Sequence, residues 1–285
     1  MPSRADLFLE TLTPWAEAED GIRFAMIVGS QARRADPADE FSDIDVVLSC
    51  TDPRPFLDGA DWLAPLGTPL LSFVEPTAVG GEFERRVLFD SGLDVDFVLL
   101  PHATLAGWAM DGMPPEFGTV AARGLRILVD KDGIGAGLAD RLPPPAPPDA
   151  IWTAVQFAGK TQDFLYHCLW AARKAARGEL FVALQGLNGL LRPHLFDLIR
   201  MHLRLTRGAA ATDWYGARMI ERWADPATVA ALARTCAGHD RASILSAIDA
   251  AVDLHASLGP VVCDQLAVPY PAAAAARIRE MVVRV

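Results

Sequence analysis

Two aspartates, Asp43 and Asp45, interrupt an apolar run in FSDIDVVLSC, residues 41–50. Alternate residues of a strand face opposite sides, so Ile44, Val46 and Leu48 share one face and Asp43, Asp45 and Val47 the other. Carboxylates that close repel, and one of them is driven toward protonation. A divalent cation between them removes the conflict, and Mg2+ favours a few carboxylates together with phosphate oxygens and water. A second run, LDVDFVLLP at 93–101, repeats the arrangement. There Leu93, Val95, Phe97 and Leu99 share one face, and Asp94 and Asp96 the other. If the two strands lie near each other, Asp96 or Asp94 joins Asp43 and Asp45. Three convergent carboxylates are a frame for metal-assisted phosphoryl or nucleotidyl transfer.

The preceding run supplies a partner for such a frame. FAMIVGS, residues 24–30, ends in Gly29 and Ser30, and QARRADP after it is expected to open a short helix. A small-residue turn at a helix start exposes backbone N–H groups that suit a phosphate, and the Ser30 hydroxyl adds a donor. Arg33 and Arg34, one turn on, have the reach and the charge for a triphosphate. Taken singly, each piece has an ordinary explanation as a turn, a strand edge or a solvated helix face. Their conjunction and order favour a functional site.

These groups need elements to hold them. DLFLETLTPWAEAED predicts an amphipathic first helix, and 24–30, 44–50, 68–76, 85–90, 94–101 and 125–133 predict strands or short apolar runs. RLPPPAPPDA at 141–150 is the most Pro-rich stretch. It is read as a stiff linker over 141–149, between a domain at 1–140 and another at 150–285. Beyond it, apolar residues recur every three or four positions, with Gly178 and Pro193 as expected interruptions. Ala-rich segments near 226–236, 242–258 and 271–284 continue the helical pattern. The fold class is α+β, a mixed sheet flanked by helices followed by a helical bundle domain.

Composition narrows the partners. The chain has 285 residues, of which 51% are hydrophobic, and a net charge of −10. That balance argues against a nucleic-acid binder working by phosphate neutralisation and is compatible with a cationic substrate. Cys50, Cys168, Cys236 and Cys263 are scattered without zinc-ligand spacing, which fits free thiols in a reducing cytoplasm. No signal peptide or uninterrupted membrane-spanning run is read in the sequence. His167, His194, His202 and His255 fall on expected helices and read as packing or surface residues.

The order Gly29-Ser30 … Asp43-Ile44-Asp45 resembles the signature of the nucleotidyltransferase superfamily. Further segments resemble one branch, the aminoglycoside 6-adenylyltransferases, in the same order: DWLAPLGTPLLSFVEP, RVLFDSGLDVDFVLLP, RILVDKDG, ARGELFVAL and YGARMIERW. The resemblance implies an N-terminal nucleotidyltransferase domain and a C-terminal helical domain. It implies transfer of AMP from ATP to a hydroxyl of streptomycin or a similar aminoglycoside, with Mg2+ and release of pyrophosphate. On this resemblance Asp43 and Asp45 match the metal ligands, and Asp96 matches a third carboxylate that serves as metal ligand or as base. Gly29 and Ser30 match the phosphate-holding turn. Arg173, Lys174 and Arg177 match a basic helical segment that meets the triphosphate. Gln31 stands where the family often has Arg, and Trp214-Tyr215 replaces a familiar Gly-Lys pair, so that either Arg218 does that work or no residue does. A relative acting on another hydroxylated acceptor, or a nucleotide-binding module without turnover, would share the same frame. Partners are then ATP and a small hydroxylated, cationic acceptor, with no nucleic acid or membrane and with the chain as monomer or homodimer.

Overall fold

The computed structural model describes residues 3–33, 38–77, 81–143, 152–208 and 218–285. Arg34, most of the Pro-rich stretch and Trp214-Tyr215 lie outside the described residues. The chain divides into two compact units, Met1–Ala146 and Pro147–Val285.

Among its described residues the first unit has six strands: β1 (Ile22–Val28), β2 (Ile44–Cys50), β3 (Pro69–Pro76), β4 (Phe83–Phe89), β5 (Asp94–Pro101) and β6 (Leu125–Asp130). Their order in the sheet is β3-β4-β5-β2-β1-β6. β2 and β5 pair in parallel, and every other neighbour is antiparallel. The sheet is therefore mixed, and its one parallel pair joins the two strands that carry aspartates.

Alternation sorts the side chains between two faces. On one, Ile27, Ile44, Val46, Leu48, Val95, Phe97 and Leu99 pack against Phe8, Leu9 and Leu12 of helix α1 (Arg4–Ala18). A reciprocal Ser3–Asp6 capping box starts that helix. Phe56 of the short α2 (Arg54–Asp58) joins the same core, and Trp62 meets Phe97 edge-on at 5.0 Å between ring centroids. The other face is covered by α3 (His102–Asp111), α4 (Pro115–Ala121) and α5 (Gly135–Asp140), which bury Phe24, Met26, Val47 and Leu100. The aspartates sit on this second face, at the N-terminal ends of β2 and β5. The apolar core there is built on residues further along both strands.

The second unit is helical throughout its described residues. It holds α6 (Ala154–Ala176), α7 (Leu180–Gly186), α8 (Arg192–Arg207), α9 (Ile220–Trp223), α10 (Pro226–Ala233), α11 (Arg241–Gln265) and α12 (Ala272–Val283). Gly178 falls in the break between α6 and α7, as its sequence position suggests. Pro193 does not break the chain. A five-residue π turn, Leu187–Leu191, runs directly into α8. Proline offers no N–H to the turn before it, and the widened turn absorbs the mismatch. α11 is long and apolar enough to cross a membrane by length and composition, yet it packs as a core helix against α6 and α8. Its Asp249 and Asp253 pair with Arg279 of α12.

A stack of rings runs through this helical core. Phe164 lies 4.7 Å from His194 and 4.5 Å from His255, with both imidazoles within 24° of its plane. Trp152 covers His194, and Tyr270 hydrogen-bonds His255 Nδ1 at 3.1 Å. Burial pulls His255 down to about 4. Burial, then His255 and Lys160, pull His194 down to about 3. Both rings are therefore neutral members of the core. Below the ordinary value of 6.5 the unfolded imidazole takes up a proton that the folded one refuses. Stability present above that pH is lost as pH falls toward 4. At about 1.4 kcal/mol per pKa unit, His255 alone accounts for about 3 kcal/mol at the acid limit. We expect His255→Phe to flatten the acid limb of a denaturant-midpoint-against-pH curve. Curves that stay parallel to wild type would exclude this role.

Candidate active site

Register brings the carboxylates together. Across the parallel pair Asp45 stands opposite Asp96, and Asp43 immediately precedes β2. One oxygen of each of Asp43, Asp45 and Asp96 lies within 4.8 Å of the other two. Of the two alternatives on β5, Asp96 joins the cluster, while Asp94 is exposed at the strand start.

The Gly-Ser turn closes one side. β1 ends at Val28, whose backbone partner is Asp45. Gly29, Ser30 and Gln31 then form a single 3-10 turn where QARRADP is expected to open a short helix, of which 34–37 lie outside the described residues. Gly29 has φ +69°, and a Cβ added there would overlap Asp45 Oδ2. The backbone thus approaches a carboxylate at a point that admits only glycine. Gln31 Nε2 donates to the Asp43 carbonyl at 3.4 Å and ties the turn to β2. Gly124 packs under the turn, where a Cβ would fall 2.6 Å from the Ala32 backbone. Ser30 Oγ is buried with no hydrogen-bond partner among the described residues, a donor waiting for an acceptor. Arg33 is half-buried just beyond the turn.

One residue here escaped sequence reasoning. β4 carries adjacent arginines that point to opposite faces. Arg85 is buried and donates from Nε to the Phe56 carbonyl at 2.9 Å and from Nη1 to Ser72 Oγ at 2.8 Å, pinning α2 to the sheet. Arg86 stands opposite Asp96 and grips it through Nε–Oδ1 at 2.8 Å and Nη2–Oδ2 at 2.7 Å. Its Nη1 also reaches Glu75 Oε1 of β3 at 3.3 Å. Two adjacent arginines inside a strand of β-formers are the signal, because each must find a partner on its own face.

Electrostatics follow from this packing. Burial, then the charges of Asp43 and Asp96, push Asp45 up to about 7. Burial raises Asp96 as well, and the Arg86 fork opposes that shift. Three clustered carboxylates, of which Arg86 grips only Asp96, fit a hard dication such as Mg2+, whose ligands are oxygens.

The remaining candidates lie in the second unit. Arg173 is exposed near the end of α6. Lys174 Nζ and Arg177 Nε share Glu179, at 2.7 and 3.0 Å. Cations at a helix C-terminus also complement its dipole.

Comparison with known proteins places these features in a family. The chain is 24% identical over 228 residues to an aminoglycoside 6-adenylyltransferase of Bacillus subtilis (strain 168), covering 76% of this chain and 74% of that protein. A crystal structure of an aminoglycoside 6-adenyltransferase from Bacillus subtilis aligns over all of both chains, with 18% identity and a TM-score of 0.44. A nucleotidyltransferase-like protein from Exiguobacterium sibiricum 255-15 aligns over 91% of this chain and 78% of its own, with 14% identity and a TM-score of 0.34. The model of the streptomycin adenylyltransferase family matches residues 3–285, and the chain belongs to that family of nucleotidyltransferase enzymes.

Proposed function

We propose that this enzyme moves AMP from ATP to a hydroxyl of an aminoglycoside such as streptomycin, releasing pyrophosphate. The observation that carries the reading is the meeting of Asp43, Asp45 and Asp96 within 4.8 Å beside the Gly29-Ser30 turn. The family and the named Bacillus subtilis relative support the aminoglycoside as acceptor.

Asp43 and Asp45 hold Mg2+ in this reading, with Asp96 on the third side. Bound there, Mg2+ supplies Lewis-acid neutralisation of charge on the triphosphate. Ser30 Oγ donates to a phosphate oxygen, and the absence of a side chain at Gly29 lets Asp45 sit against the turn beside that phosphate. Asp96 is the third ligand or the base that takes the acceptor's hydroxyl proton. Arg33, Arg173, Lys174 and Arg177 belong to the reading as cations for the nucleotide phosphates. Catalysis is then mostly positioning and charge neutralisation.

The direct test is pyrophosphate release with ATP and Mg2+ across an aminoglycoside panel. We expect release that depends on streptomycin or a close relative, and a product heavier by one AMP. Nucleotide binding with no release across the panel would overturn the acceptor assignment. Labelled protein after incubation with labelled ATP would redirect it to a side-chain hydroxyl.

A further inference from the structure

We propose that Arg86 is the positioning residue for Asp96 and the built-in counter-charge of the triad. This rests on the reading of Asp43, Asp45 and Asp96 as a cation site. Asp45, Asp96 and Arg86 form one row across β2, β5 and β4, all on the same face. The guanidinium engages both Asp96 oxygens, at 2.8 and 2.7 Å, and this two-point fork fixes the rotation of the carboxylate as well as its place. An ionised carboxylate has roughly four lone-pair sites, so the fork leaves about half of them for a cation or a proton. Glu75 holds the far side of the guanidinium at 3.3 Å and keeps it from swinging away. Asp96 is buried, so a carboxylate without the fork has few other groups to orient it.

The arrangement has two separable consequences. Arg86 offsets one of three negative charges, so it weakens the field that a free dication meets. Arg86 also aims Asp96, so it strengthens the step that uses Asp96. Loss of the charge should therefore tighten cation binding, and loss of the fork should slow turnover. A residue that merely braced the sheet would weaken both.

The test uses the full chain and Mn2+, with free Mn2+ read by electron paramagnetic resonance without nucleotide. Pyrophosphate release is measured in parallel. Arg86→Gln should bind Mn2+ about tenfold tighter, since a neighbouring like-signed charge is gone. Arg86→Lys keeps the charge but not the fork. It should hold Mn2+ affinity within about twofold and lose about 30-fold in kcat, with little change in KM for ATP. Asp45→Asn runs alongside and should lose Mn2+ binding. If Asp45→Asn binds Mn2+ normally, the triad reading fails. If it does not, and Arg86→Gln binds Mn2+ no tighter than wild type, the counter-charge inference alone is overturned. Full kcat in Arg86→Lys overturns the positioning role. Arg86→Lys carries that decision by itself should Arg86→Gln not fold.

Discussion

Asp45→Asn is expected to slow pyrophosphate release by about a thousandfold or more and, in chelator, to melt at a higher temperature than wild type. The two effects come from one cause. Asp45 is pushed up to about 7 by burial and by the charges of Asp43 and Asp96. A carboxylate raised from 3.8 is easier to ionise in the unfolded chain than in the folded one. Its contribution to stability is whole at low pH and is lost as pH rises toward 7. Asp45 is half-buried and solvent screens part of the repulsion, which holds the penalty to about 1–2 kcal/mol. The amide is nearly isosteric and carries no charge, so it removes the repulsion and leaves the packing. A rise of about 3 °C or more in melting temperature follows for a unit of this size. The advantage should be absent near pH 4 and complete above neutrality. Adding Mg2+ or Mn2+ should then raise the melting temperature of wild type and leave the variant where it was. A variant that is destabilised in chelator would show that Asp45 is a structural member of the sheet.

Much of this arrangement is legible in sequence because it depends on alternation. Leu93, Val95, Phe97 and Leu99 all fall in one core, on the face away from Asp96, as a period of two requires. The same period cannot say that β2 and β5 are parallel neighbours, yet only that pairing sets Asp45 against Asp96. Candidacy can be read for both Asp94 and Asp96, and register chooses between them. Arg86 was hidden for a related reason. A charge in a strand reads as solvated until its neighbour across the sheet is known, and that neighbour is Asp96. The sequence predicts a short helix opened by QARRADP, because small residues after a strand often begin one. The structure makes a 3-10 turn there, shaped by contact with Asp45 and by Gly124 packed beneath Ala32. His194 and His255 come from separate helices, so their shared stack with Phe164 has no local pattern.

Gly29→Ala tests the site without removing any chemical group. At φ +69° an alanine pays about 1 kcal/mol of backbone strain, a modest loss for a whole domain. The larger effect is local. The new Cβ overlaps Asp45 Oδ2 and comes within 3.0 Å of Asp45 Cγ. Asp45 must turn away, or the turn must lift from β2 and take Ser30 with it. Either movement displaces a group by roughly 1 Å, which is enough to cost about a hundredfold in rate where catalysis is positioning. Mn2+ affinity should fall with it. Gly133→Ala separates strain from displacement. Gly133 has φ +72°, and nothing lies within 4 Å of its added Cβ. It should share the loss in stability and keep its turnover. Ser30→Ala should lie between them, losing one donor but not the shape of the turn. Near-normal kcat in Gly29→Ala, measured as pyrophosphate release, would mean that the contact between this turn and Asp45 is packing alone. A hundredfold loss at wild-type-like folding would tie the left-handed glycine to the carboxylate it makes room for.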